Sequence, residues 1–100
     1  MPIANVQEEG SWIKVYDARS QRISQMSAHG VTLLGTAGDF FVTSEGSWIK
    51  TYDENCRRLA QMSATNVNVV GASGTTFVTK EGSWLKTYDK HCKRLSQRSE

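Results

Sequence analysis

In two segments of the repeated unit, large and polar residues alternate. In residues 48–53, Trp48, Lys50 and Tyr52 interleave with Ile49, Thr51 and Asp53, and residues 58–64 (RLAQMSA) alternate in the same way. A period of two marks a strand with one face covered. Residues 40–44 (FFVTS) and 76–80 (TFVTK) are β-branched and aromatic, and each runs toward a Glu-Gly pair that signals a tight turn. A four-residue polar turn follows at residues 54–57 (ENCR), and residues 67–73 (VNVVGAS) form a short apolar strand ending in a glycine-containing turn. No stretch carries helical periodicity over roughly a dozen residues, and the one proline is Pro2. The pattern predicts antiparallel strands joined by short turns.

The strands repeat. EGSWIKTYD at residues 45–53 has near copies at 9–17 and 81–89, and Trp12, Trp48 and Trp84 set a period of 36 residues. Tyr16, Tyr52 and Tyr88 keep it, as do Asp17, Asp53 and Asp89, and Arg22, Arg58 and Arg94. The chain is read as one repeat domain, 1–100, with units 1–28, 29–64 and 65–100. Each unit is a four-stranded meander, except that the first lacks its first strand.

Residues 31–62 (VTLLGTAGDFFVTSEGSWIKTYDENCRRLAQM) are similar to a β-propeller blade of the WD-repeat type. An apolar strand and a Gly-containing turn precede a second strand, then an acidic-Gly turn, then a strand ending in Tyr52-Asp53 where those blades end in Trp-Asp. The unit is short for that family, and Ala28-His29 and Ala64-Thr65 stand near the place of its Gly-His pair. The resemblance implies an all-β fold of antiparallel four-stranded, propeller-like repeats. Three blades do not close a ring, so it implies a homodimer forming a six-bladed ring. The alternative is a threefold β-prism or β-trefoil that closes as a monomer. The strand–turn–strand–Tyr-Asp pattern also looks like monocot mannose-lectin repeats, although their Gln-Asp-Asn-Val-Tyr signature is absent.

With 38% hydrophobic and 22% charged residues, the chain has the composition of a folded domain and not a disordered one. The net charge of +2 is too weak to point to nucleic acid. No long apolar run suggests a membrane partner, and no basic start suggests a secretory signal. Cys56 and Cys92 hold equivalent places, with Ser20 in the first unit. Equivalent positions in neighbouring repeats rarely face each other, so both are expected as free thiols in a cytoplasmic protein. No spacing of Cys or His suits a metal, and no cofactor motif is present.

Three sets of residues are candidates for ligand binding. Trp12, Trp48 and Trp84 could stack on sugar rings, although repeated aromatics more often serve packing. Tyr16, Tyr52 and Tyr88 follow them on the same strand. Arg22, Arg58 and Arg94 lie beside the polar turns, where they form a basic rim or a solvated edge that blocks strand pairing. Asp17, Asp53 and Asp89 are expected to accept hydrogen bonds from turn amides. Three identical carboxylates do not make one catalytic pair, so the expected role is non-enzymatic binding or scaffolding. Carbohydrate binding is the first alternative, and a weak nucleic-acid or acidic-partner rim is the second.

Overall fold

The structure, a computed structural model, describes residues 3–99. Residues 1, 2 and 100, at the outer ends of the first and third predicted units, lie outside the described residues. Every described element is a strand, and the strands form three antiparallel sheets. The first sheet holds β1 (Asn5–Glu9), β2 (Trp12–Tyr16) and β3 (Arg22–Ser27). The second holds β4 (Val31–Thr36), β5 (Phe40–Glu45), β6 (Trp48–Asp53) and β7 (Arg58–Ser63). The third holds β8 (Asn68–Ser73), β9 (Thr76–Glu81), β10 (Trp84–Asp89) and β11 (Arg94–Ser99). Each sheet is a simple meander in chain order, and the first has three strands where the others have four. This is the all-β repeat architecture expected from the period of 36. Among the described residues, no helix is long and apolar enough to cross a membrane.

The turns explain why the meander forms. β1 and β2, β5 and β6, and β9 and β10 are each joined by two residues, Gly-Ser, with the glycine at φ of +62°, +62° and +63°. Positive φ at the first turn residue, but not at the serine, suits the right-handed twist of a hairpin. The turns after β2, β6 and β10 are held by the predicted aspartates. Asp17 accepts from the amides of Arg19 and Gln21, Asp53 from Asn55 and Arg57, and Asp89 from His91 and Lys93, all at 2.8–3.0 Å. These turns place Ser20, Cys56 and Cys92 in the left-handed region, at φ of 60–61°. The amide hydrogen bonds of the Asp cap offset the steric cost of that conformation.

Stacking creates two cores. One face of the first sheet, carrying Val6, Ile13 and Val15, packs on Phe41 and Tyr52 of the second. The opposite face of the second, carrying Val42 and Ile49, packs on Phe77 and Tyr88 of the third. Aromatic contacts reinforce both cores, with Phe41 stacked on Tyr52 and Phe77 on Tyr88 at ring separations of 5.4 Å. Between the second and third sheets, contact is closest along the innermost strands, β4 and β8. There, a Cβ built on Gly35 would stand 3.2 Å from that of Ala72. Close approach of inner strands is how blades converge on a propeller axis. A closed trefoil or prism would also need a core between the first and third sheets. Among the described residues, the buried clusters join only the first to the second and the second to the third.

Candidate functional site

Period-two alternation sends Ile49 and Thr51 to one face of β6, and Trp48, Lys50 and Tyr52 to the other. The register brings Glu45 opposite Trp48 and Thr43 opposite Lys50. A charged cluster results beside each tryptophan. The Tyr52 hydroxyl donates to Glu45 at 2.5 Å, Thr43 donates to the same carboxylate at 2.9 Å, and Lys50 donates at 3.2 Å. The third sheet repeats it, with Tyr88, Thr79 and Lys86 on Glu81 at 2.8, 2.7 and 3.1 Å. In the first sheet, Tyr16 donates to Glu9 at 2.6 Å and Lys14 lies 3.5 Å away. Gln7 stands there in place of the threonine, and the Glu9 side chain is 38% exposed against 18% and 19% for Glu45 and Glu81.

The cluster has a consistent electrostatic signature. Burial pushes the Glu45 and Glu81 carboxyls up, but the hydrogen bonds from tyrosine, threonine and lysine outweigh it and hold both below the usual carboxylate range. The hydrogen bond from Tyr16 does the same for Glu9. Burial, then the adjoining carboxylate, pushes Tyr52 well up and Tyr88 up to about 12. For Tyr16 the hydrogen bond to Glu9 is the leading cause. The tyrosines are therefore neutral donors that fix an ionised glutamate in place.

The three tryptophans are exposed, at 43% each. The packing role expected of repeated aromatics is filled by Phe41, Phe77, Tyr52 and Tyr88 instead. Each indole sits at the hairpin end of its strand, beside the Glu–Lys–Tyr cluster. Tyr52 and Tyr88 are buried. Arg22, Arg58 and Arg94 pair across the ladder with the tyrosines at the opposite end of the strand and are exposed. Arg58 and Arg94 donate to Gln61 and Gln97 on their own strands, at 3.3 and 3.2 Å. The structure thus brings Trp and Tyr to one face and sets Arg four residues of strand away from Trp, so the three do not line one pocket. Glu9, Glu45, Glu81, Lys14, Lys50 and Lys86 were not singled out by the sequence reading. Their signal was their place beside the tryptophan in every copy.

A cleft of about 650 Å³ opens at the other end of the second interface, lined by Asp39, Asp53, Glu54, Leu59 and Lys90 among others. Lys90 donates to Asp39 at 2.8 Å. The two free thiols pack against the cores of the interfaces, Cys56 in the first and Cys92 in the second. Burial pushes Cys56 up and Cys92 up to about 11, so neither is a ready nucleophile. Among the described residues, no group of three or more His, Cys, Asp and Glu is placed to hold a metal ion.

Compared with known proteins, the chain matches no family model, no curated sequence and no solved structure. The geometry alone carries the functional reading.

Proposed function

We propose that the chain is a non-enzymatic binding protein that presents one Trp-centred surface site per sheet, in an arc completed by a second copy. The observation that carries the binding site is the equal, 43% exposure of Trp12, Trp48 and Trp84. An indole costs free energy when left in water, and none of the three fills a core. Each lies beside a fixed carboxylate and ammonium, which offer an acceptor and a donor next to a flat apolar platform. That combination fits the C–H face and hydroxyl groups of a sugar ring, so carbohydrate is the ligand class favoured here. Repetition at fixed spacing suits a repetitive ligand, because linked weak sites gain by effective concentration.

The test is a glycan array followed by titration of tryptophan fluorescence. Binding should shift or quench the emission and should be lost in the triple variant W12A/W48A/W84A. That variant should retain its strand content, since the indoles are outside the cores. Glycan binding that survives the triple substitution would refute the site, and an array blank for the intact protein would refute the ligand class.

A further inference from the structure

The outward face of the third sheet is uncovered: among the described residues, no sheet packs on it. Val70 and Leu95 are 63% and 56% exposed. One repeat earlier, Leu34 and Leu59 pack into the second core. Val78 and Leu85 repeat Val42 and Ile49, which are 0% and 1% exposed, and Val6 and Ile13, at 7% and 0%. Two shallow grooves of about 350 and 410 Å³ share Val78, Leu85 and Arg98 in their walls. The face therefore keeps the apolar row of an interior interface while ending the stack.

The row nearest the hairpin has changed charge. Met26 and Met62 pack into the cores of the first two sheets, and Arg98 replaces them in the third. Across the ladder Lys80 and Leu85 complete that row, where the second sheet has Ser44 and Ile49. At the opposite end of the stack, the outward face of the first sheet has diverged too. Asn5, Gln7 and Ser20 stand for Phe41, Thr43 and Cys56, while Tyr16 and Glu9 are kept. On this uncovered face the Glu9 side chain is about twice as exposed as its equivalents. One end of the arc is thus apolar with added cations, and the other is polar, with the Glu9 carboxylate more exposed than its Lys14 partner. An isologous pairing of two third sheets would set Lys80 and Arg98 against their own copies.

Building on the proposed two-copy arc, we infer that the copies join head to tail. The uncovered face of one third sheet receives the outward face of the partner's first sheet, with Arg98 directed at the Glu9 cluster and Tyr16 filling the groove at Val78 and Leu85. Two such interfaces are formed, equal by symmetry, and six sheets are enclosed. Hydroxyls complete the match. In the interior interfaces one hydroxyl, from Ser24 or Thr51, donates at 2.6 Å to a turn carbonyl of the next sheet. The third sheet carries hydroxyls at both equivalent places, Thr87 and Ser96.

Sedimentation equilibrium over a dilution series tests this with R98E, E9R and the double variant R98E/E9R. Arg98 is exposed and Glu9 partly so, and circular dichroism checks that each variant keeps its strand content. The wild-type chain should have twice the monomer mass. Each single variant should weaken association by on the order of tenfold, and the double variant should recover most of the loss. A wild-type monomer would refute the two-copy arc itself. A wild-type dimer indifferent to both reversals, or not rescued by the pair, would leave the two-copy reading standing and overturn the head-to-tail pairing, as would growth beyond two copies.

Discussion

The two interior interfaces solve one problem in two ways, and exchanging the solutions tests the packing. In the first interface Ser24 on β3 donates to the Glu54 carbonyl at 2.6 Å and lies 3.2 Å from the Cys56 sulfur, while Val15 faces it across the ladder. In the second, Thr51 on β6 donates to the Lys90 carbonyl at 2.6 Å within reach of Cys92, and Ala60 faces it. Thr51 is fully buried. Thr51→Val keeps its shape and removes the donor, leaving a carbonyl in a closed interface without its partner. The expected cost is about 1–2 kcal/mol, or a fall in Tm of roughly 4–8 °C for each kcal/mol in a domain of this size. Adding Ala60→Ser restores a hydroxyl from the neighbouring strand, as in the first interface. The double variant should return to within about 0.5 kcal/mol of wild type. Urea unfolding at one fixed protein concentration measures both steps, because association would otherwise contribute to the apparent stability. If Thr51→Val is neutral, or Ala60→Ser fails to recover its loss, the carbonyl is satisfied otherwise and the exchange is wrong.

Asn5→Phe restores the aromatic of the other sheets to the outward face of the first. It should tighten dimerisation by about tenfold or more through roughly 1.5–3 kcal/mol of added burial, and sedimentation equilibrium would show no change if that face stays in water. All three tyrosines have raised pKa values when folded, so their stabilising hydrogen bonds are fully present below pH 10 and are lost above it, up to about 12 for Tyr88. Phenolate absorbance of the folded protein should therefore appear at higher pH than in urea; coincident curves would contradict the Glu–Tyr pairing. Glu45 and Glu81 are lowered instead, so their contribution is present above the ordinary carboxylate range and should fade as pH falls through their folded values, seen as falling Tm below about pH 4.5. Cys56 and Cys92 should react with a disulfide reagent at pH 8 more slowly than in the unfolded chain, a difference that would vanish if burial did not raise them.

Strand positions, the Gly-Ser hairpins and the Asp caps were legible because each rests on chemistry local to a few residues. Which side of a strand is buried was not, since Trp12, Ile13, Val15 and Tyr16 put large residues on both sides of β2. The resolution lies partly in bulges. The register shifts between Thr51 and Tyr52 and again between Leu33 and Gly35, which inserts Leu59 and Leu34 as extra residues. Each insertion brings an apolar residue into the second core that strict alternation would not place there. A reading by alternation alone has no access to that. The Glu–Lys pairing also escaped it, because Glu45 and Lys50 are distant in the alternating pattern and meet only when the hairpin folds.

Divergence among the three repeats separates packing from the surface site. Buried positions vary with what covers them: Val15 and Thr51 trade a methyl for a hydroxyl, Ser20 stands where Cys56 and Cys92 lie, and Asn5 replaces phenylalanine where no sheet of the same chain is stacked. The tryptophans do the opposite. They are identical in all three copies although each is exposed to the same extent and their sheets have different neighbours. The first sheet has one neighbour in the chain, the second has two, and the third has one on its other face. Some packing positions have changed at the ends of the stack, as Asn5 and Arg98 did, while Val78, Leu85 and Tyr16 are kept. Trp12 sits at one such end unchanged, beside an unchanged Glu–Lys–Tyr set, while Trp84 lies on the Tyr88 face that packs on the second sheet. What the three copies share is an equally exposed indole beside the same Glu–Lys–Tyr set, and this is the physical reason for proposing three copies of one binding site.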